Sequence, residues 1–420
     1  MQQRDATSIA SLVRHTPLAR ARDRALSLAV FAVAVLPVCC TTLAARAIAA
    51  APAASWDLVQ QRQVVAAGLM DEGGGSFAGA NHLSAAQANA TMAALATRLQ
   101  GVLGEGAVVG GPQADGEQGT PGVPGVGEEQ EVSGEPDASD DQGVPGEPDA
   151  SSEPSAATPT PTPPSAHTAQ SPVTVVTFDW MLVEELALSG VAAHVQATAA
   201  AIGLHPPAYF GSETVARLLE LRYEHPVGAQ RLDLFPQDPI TRAEAAWSLS
   251  RAMDLSAWDI ASARQALSAF ALPQMTAAQR RALQIAVARI GYPYVWGGTT
   301  DNTADGLEHG GFDCSGFAWR VYKVSGLPWG QAIHGRTAAE QAGEIPRSQR
   351  LAIGQLEPGD LLFFGSAHFD SKATERNVIH EGIYLGDNWV IHSSGQGVYV
   401  LSLSGSWLGS SFAWGRRVIR

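Results

Sequence analysis

The chain has 420 residues, 45% of them apolar, and a formal net charge of −14, which leaves room for two or three domains with sizeable cores. Of its 41 acidic residues, 13 lie in residues 101–172, which hold no Lys or Arg; elsewhere 28 acidic residues face 27 basic ones. The acidity therefore belongs to one segment, and the composition excludes a basic nucleic-acid-binding surface.

At the N-terminus, Arg14, Arg20, Arg22 and Arg24 precede an apolar run from Ala25 to Val38, and Ala47-Ile48-Ala49 offers small residues. This pattern predicts an export signal over residues 1–49. The run is short for a bilayer span and carries Pro37, so no stable membrane insertion is expected after cleavage. The alternatives are a retained anchor and a lipoprotein using Cys39 or Cys40. Signal cleavage leaves Cys314 as the only cysteine, a lone thiol in an oxidising compartment, which is either reactive or buried and inert.

Residues 50–100 are Ala-rich with helical spacing over Leu83–Leu99, where Ser84 and Gln87 are placed as a capping box. Residues 101–172 repeat Gly-Val-Pro-Gly and Gly-Glu-Pro-Asp-Ala-Ser and end in a Thr-Pro run. Few apolar residues and uniform charge predict a disordered spacer. Residues 173–272 return to helical pattern. Phe178–Ile202 reads as one helix and Glu213–Tyr223 as another. Thr241–Met253 reads as a third, with Thr241 at the N-cap and Glu244 three residues on. Phe235, Pro236 and Ile240-Thr241-Arg242-Ala243-Glu244 resemble the S-layer homology module, and Phe77 with Leu83-Ser84-Ala85-Ala86-Gln87 is a weaker echo. The resemblance implies small helical units that hold proteins on a secondary cell-wall polymer. A plain helical spacer is the alternative.

From Thr276 the pattern changes. A helix over Ala277–Ile290 precedes Gly291-Tyr-Pro-Tyr-Val-Trp-Gly-Gly298, and Phe312-Asp-Cys-Ser-Gly-Phe317 opens a helical stretch through Val324. The later segments, around residues 356–364, 380–386, 389–393, 398–403 and 414–419, are β-rich, alternate, and are separated by turn residues; they predict an antiparallel sheet. Cys314 stands where a Gly-rich loop meets a helix N-terminus, which favours thiolate. A catalytic thiol needs a base within reach and a third group to orient that base. Five histidines lie beyond Gly298. A three-residue loop at Gly386-Asp387-Asn388 would set Leu385 opposite Trp389 and Gly382 opposite His392, with His380 and His392 on one face. A two-residue loop would separate them.

The motifs YVWGG, FDCSGF, Pro-Gly-Asp-Leu-Leu-Phe-Phe, His-x-Gly-Ile-Tyr-Leu-Gly, Val-Ile-His and Arg-Arg-Val, in this order, resemble the NlpC/p60 family of cell-wall cysteine peptidases. The resemblance implies an α+β, papain-like domain over 276–420, with a Cys-bearing helix packed on an antiparallel sheet. It implies Cys314 as nucleophile, His380 as general base and acid, and His392 as the residue orienting His380. It places Tyr294 near the thiol, Asp313 and Ser315 along the substrate cleft, and Arg336 in the cleft wall; Trp296 joins the substrate-binding set. For Tyr294 and Trp296 the alternative is aromatic packing, and for Asp313 it is helix capping. The implied substrate is the stem peptide of peptidoglycan, at the γ-D-glutamyl–diamino acid bond, cut through a thioester with no metal or cofactor. The implied location is secreted and wall-associated. The competing readings are a silent wall-binding protein and a papain-like amidase or acyltransferase. Two departures stand out: Glu381 replaces the family's usual small apolar residue, and residues 365–379 are a longer insertion than usual.

Overall fold

The computed structural model describes residues 57–72, 75–106, 168–226, 229–301 and 310–420, with side chains omitted for 102–106. The expected export signal, and all of the expected acidic spacer except its two edges, fall outside these residues. The first helices in chain order are α1 (Leu58–Ala66), α2 (Ala85–Gly106), α3 (Val175–Glu185), α4 (Ser189–Ala201) and α5 (Phe210–Leu218). They are followed by α6 (Arg242–Asp254), α7 (Ala257–Ser268) and α8 (Ala277–Val287). Then come β1 (Thr299–Thr300), β2 (Gly311–Phe312), α9 (Cys314–Trp319), α10 (Ala338–Gly343), β3 (Arg350–Leu351) and β4 (Leu361–Phe364). The chain closes with β5 (His380–Gly386), β6 (Trp389–Ser394), β7 (Gly397–Ser402), α11 (Trp407–Ser411) and β8 (Phe412–Arg416).

Two readings of the helical region need correction. Phe178–Ile202 is two helices, because the chain turns at Ala187, whose φ of 55° lies in the left-handed region. The helix read over Glu213–Tyr223 begins at Phe210 and stops at Leu218, with Glu220 at φ 58°. At Thr241 the cap forms, its side chain accepting from the Glu244 N–H. Glu244 does not reach back to close the box; it is buried, 3.7 Å from His225. The box at Ser84 and Gln87 forms in both directions.

Three extended segments meet in a closed ring. The Leu83 N–H donates to the Ile240 carbonyl, Ile240 to Val173, and Val173 to Leu83. Each is followed by a capped helix: Ser84 before α2, Thr174 before α3 and Thr241 before α6. The three apolar residues at the ring are buried. Burying them together satisfies their backbone groups against one another, which is what a buried backbone requires.

The sheet is antiparallel, in the order β3-β8-β4-β5-β6-β7. One face, with Phe363, Ile383, Ile391 and Trp414, packs with Phe317 of α9 in a core that runs on into the helical half. The other face carries Leu362, Phe364, Tyr384 and Val390 under Leu408. The two halves touch through Phe270 on Trp389 (ring centroids 4.9 Å) and Phe235 on Tyr292 (5.2 Å).

Candidate active site

Cys314 is the first residue of α9, and the helix continues through a π-type turn to Val324. Asp313 caps it, accepting from the Gly316 N–H at 2.6 Å. α9 packs against β5 and β6, the strands that carry the two histidines. The backbone N–H groups of Ser315 and Glu381 act on the thiol and favour its charged form, which puts the sulfur near the peptide joining His380 to Glu381.

His380 opens β5, and its Nε2 lies 2.9 Å from Nδ1 of His392. Gly382 pairs with His392, as the three-residue loop required. The turn itself is different. It has two residues, Asp387 and Asn388, both with positive φ, and Gly386 rather than Leu385 pairs with Trp389. Leu385 is an extra residue in a bulge, and the bulge restores the face that a two-residue turn alone would have reversed. Gly382 is needed here: a Cβ would lie 2.6 Å from Val390 Cγ1 and 3.1 Å from His392 Cβ.

Burial governs the charges. It pushes the Cys314 thiol up to about 12, with Asp313 and Glu381 adding to the rise and the two backbone hydrogen bonds opposing it. The thiolate preference expected from the helix N-terminus is therefore outweighed at rest; the residue is half-buried. Burial depresses His380 to about 3 and drives His392 well below its usual value, with His380 adding to the latter. Thiol and imidazoles thus rest uncharged. His392 Nε2 is buried without a hydrogen-bond partner among the described residues.

The flanking residues are tied down. Arg336 grips Asp313 bidentately (3.0 and 2.9 Å) and donates to the Ser315 hydroxyl (3.1 Å) and the Gly298 carbonyl (3.3 Å). Ser315 is buried. Tyr294 sits beside the thiol: burial raises its phenol well above the usual range, and Cys314 and Asp313 add to the rise. Trp296 is 68% exposed, so it is not packed under the Gly297-Gly298 turn. Asp301 is held by Arg289 (2.7 Å) and Arg320.

Glu381 is fully buried on the α9 face, and neither carboxyl oxygen has a hydrogen-bond partner among the described residues. Burial raises its pKa well above the ordinary value, against the pull of Arg416. Arg416 is engaged elsewhere, with Glu344 at 2.6 Å. The 365–379 insertion is fastened at its far side, where Arg350 donates to the carbonyls of Phe369 and Ser371.

Two residues at the site carried no sequence motif. Trp407 of α11 packs edge-on to His380 at 5.0 Å and reaches His392 at 6.2 Å. Tyr399 lies 4.4 Å from His392. Trp407 comes from a Ser/Gly-rich stretch, and only the return of the chain to β8 brings it over the histidines.

Residues 291–417 match the model of the NlpC/P60 family. A protein of Mycobacterium bovis named probable endopeptidase is 33% identical over 132 residues, 31% of this chain and 28% of that protein. The probable peptidoglycan endopeptidase LytE of Bacillus subtilis is 36% identical over 122 residues, 29% of each chain. The gamma-D-glutamyl-L-lysine dipeptidyl-peptidase of Bacillus subtilis is 31% identical over 119 residues, 27% of this chain and 32% of that protein. The chain thus spans about three-tenths of the length of each of these relatives.

Proposed function

We propose, from the premise that this chain carries an NlpC/P60 domain over residues 291–417, that it is a secreted, wall-associated cysteine endopeptidase of peptidoglycan stem peptides. The names of the peptidoglycan-directed relatives support the substrate class, and the γ-D-glutamyl–diamino acid bond is the one we assign. The observation that carries the reading is the thiol of Cys314 at the His380–Glu381 peptide, with His380 backed by His392 at 2.9 Å.

The tautomers follow from that contact. A neutral imidazole has one donor and one acceptor nitrogen. If His380 Nε2 donates to His392 Nδ1, His380 Nδ1 is left with a lone pair for the thiol proton; the opposite tautomer has no base to offer. His380 Nδ1 accepts that proton as sulfur attacks the scissile carbonyl. Burial disfavours the ion pair at rest, so proton transfer is coupled to attack. The Cys314 N–H is the backbone donor of the first turn of α9 left for the developing oxyanion. The imidazolium returns its proton to the leaving amine, giving a thioester. His380 then takes a proton from water as it attacks, and the carboxylate leaves with Cys314 restored as thiol.

For the helical half, the three capped segments closed in a ring support S-layer-homology-like units that hold the enzyme on a secondary wall polymer. The test of the catalytic reading is full-length protein and its Cys314→Ala variant on defined stem peptides, with products identified by mass. Cleavage is expected only from the wild type; unchanged cleavage by the variant would sink the mechanism. Retention on purified wall should fall when the secondary polymer is stripped, and equal retention rejects the anchoring role.

A further inference from the structure

Where α9, α10 and β5 meet, three buried oxygens have no hydrogen-bond partner among the described residues: both carboxyl oxygens of Glu381 and Oε1 of Gln341. Glu381 and Gln341 are each fully buried. They come from β5 and α10, and α10 packs against both β5 and α9. Glu381 alternates along β5 with His380 and Gly382, so it lies on the opposite sheet face, with Ile383 and the core that includes Phe317 of α9.

Chemistry fixes which way the Gln341 amide points. Its Nε2 donates to the Ser315 carbonyl at 3.4 Å. A carbonyl oxygen only accepts, so the nitrogen faces Ser315 and Oε1 faces away, an acceptor in need of a donor. An ionised Glu381 would bring acceptors alone to the same interior. A protonated carboxyl brings one O–H, which is what Oε1 lacks, and burial favours that form. Arg416 does not fill the gap. Its Nη1 donates to Glu344 (2.6 Å) and to the Gln341 backbone carbonyl (2.9 Å), and its Nη2 to the Ala332 carbonyl (2.5 Å). The bond to the Gln341 carbonyl sets beside α10 the same guanidinium whose charge acts most on Glu381.

Gln341 holds a residue that matters to the thiol. Ser315 follows the nucleophile, and its N–H is one of the two backbone groups acting on the sulfur. The Ser315 hydroxyl is held by Arg336 at 3.1 Å and its carbonyl by Gln341. A chain from Glu381 through Gln341 to Ser315 therefore runs from the sheet into the turn that carries Cys314.

We propose that Glu381 is a positioning residue for the catalytic thiol: its carboxyl O–H donates to Gln341 Oε1, and Gln341 in turn fixes Ser315 and the first turn of α9 around Cys314. This rests on Cys314 as the nucleophile and adds a buried acid that sets where the sulfur stands. Ionisation of Glu381 removes the donor and adds negative charge that, like that of Asp313, raises the thiol. The other charged and titratable groups facing the carboxyl are Arg416 of β8, Glu344 after α10, Arg336 before it, and Tyr322 in the π-type turn.

The test uses full-length wild type, Glu381→Gln, which keeps a donor, Glu381→Met, which keeps the volume without one, and Gln341→Met. On a defined stem peptide near neutral pH, Glu381→Met and Gln341→Met should each lower kcat about tenfold with KM nearly unchanged. The double variant should lose little more than either alone, since both cut one chain. Glu381→Gln should retain most of kcat. Wild-type kcat in Glu381→Met overturns the proposal, and so do losses that multiply in the double variant. Melting temperatures separate positioning from folding: Glu381→Met should melt no lower than wild type, because an apolar group suits an unpaired buried site, and a kcat loss matched by a lower melting temperature overturns the positioning role. Infrared spectroscopy needs no turnover. The C=O band of a protonated carboxyl, assigned by its loss in Glu381→Gln, should move to higher frequency in Gln341→Met, where the hydrogen bond is gone. No such band in wild type, or a band that Gln341→Met leaves in place, overturns the pairing. Absence of cleavage by wild type would strike the peptidase reading and leave this infrared test standing.

Discussion

Replacing Glu381 by Gln should stabilise the protein, by an amount that grows with pH. The carboxyl is fully buried, both of its oxygens lack partners among the described residues, and Arg416 is already bonded to Glu344. The folded protein therefore holds Glu381 protonated, with its pKa well above the ordinary 4.5. An unfolded chain releases that proton near the ordinary value. Raising the pH beyond it favours the unfolded state by about 1.4 kcal/mol per pH unit, for as long as the folded carboxyl keeps its proton. Gln has nearly the same shape and nothing to ionise. The stability gap between Glu381→Gln and wild type should therefore widen as pH rises above 4.5, by up to about 1.4 kcal/mol per unit. In a chain of this size that is roughly 2 °C of melting temperature per unit. Thermal denaturation followed by circular dichroism at three pH values measures it. A gap that stays constant with pH, or a variant weaker than wild type throughout, would show that Glu381 is ionised and held by Arg416, and would refute the argument.

His380 titrates with the opposite sign. Its folded pKa is depressed from 6.5 to about 3, so its contribution is present above 6.5 and is lost at ~1.4 kcal/mol per unit as pH falls from there towards 3. His380→Gln should flatten the acid limb of the stability curve by one proton, measured by denaturant titration between pH 4 and 6.5; an unchanged limb contradicts the buried neutral imidazole. Alkylation of Cys314 by iodoacetamide should keep accelerating from pH 7 to 10, because burial pushes the thiol up to about 12; a plateau reached below pH 7 would mean a resting thiolate. Arg336→Lys should cost about 1–2 kcal/mol of stability, since an ammonium cannot reproduce the two-pronged grip on Asp313 together with the bonds to Ser315 and Gly298; a melting temperature equal to wild type argues against that clamp.

Much of the site was legible because its chemistry is local in sequence. Cys314 with its Asp313 cap, and His380 and His392 on adjacent strands, follow from spacing and alternation. The hairpin shows the limit. Turn length alone gives the wrong face, and only the Leu385 bulge, which no residue type announces, restores it. The resting charge of Cys314 was not legible, because the helix N-terminus is visible in the sequence and the burial that outweighs it is not. Helix lengths failed at Ala187 and Glu220, non-glycine residues at positive φ that close the preceding helices: the Leu188 N–H donates back to the Val183 carbonyl and the Leu221 N–H to the Ala216 carbonyl. Trp407 is distant in sequence from the histidines it covers, so only the folded chain brings it to the site.

The same limit applies to the domain layout. Residues 101–172 read as a spacer between two helical modules, yet α2 extends into one edge of it and Pro172, at the other, bridges to Ser84. The ring of Leu83, Val173 and Ile240 needs all three segments, so the chain on either side of residues 107–167 belongs to one unit. Energetics allow it. Closing a loop of roughly 60 residues costs about 4 kcal/mol, and doubling the loop adds only ~0.6 kcal/mol. On the other side, α1 and α2 with the residues before it bury Val64, Leu83, Met92, Leu95 and Leu99. At about 1.5–3 kcal/mol for each such side chain, the gross burial is roughly 10 kcal/mol. The closure cost barely depends on loop length. The length and composition of the inserted segment are therefore free to vary without dismantling the helical unit. Through Arg217 and Gln396, that unit in turn fixes the seam beside Tyr294.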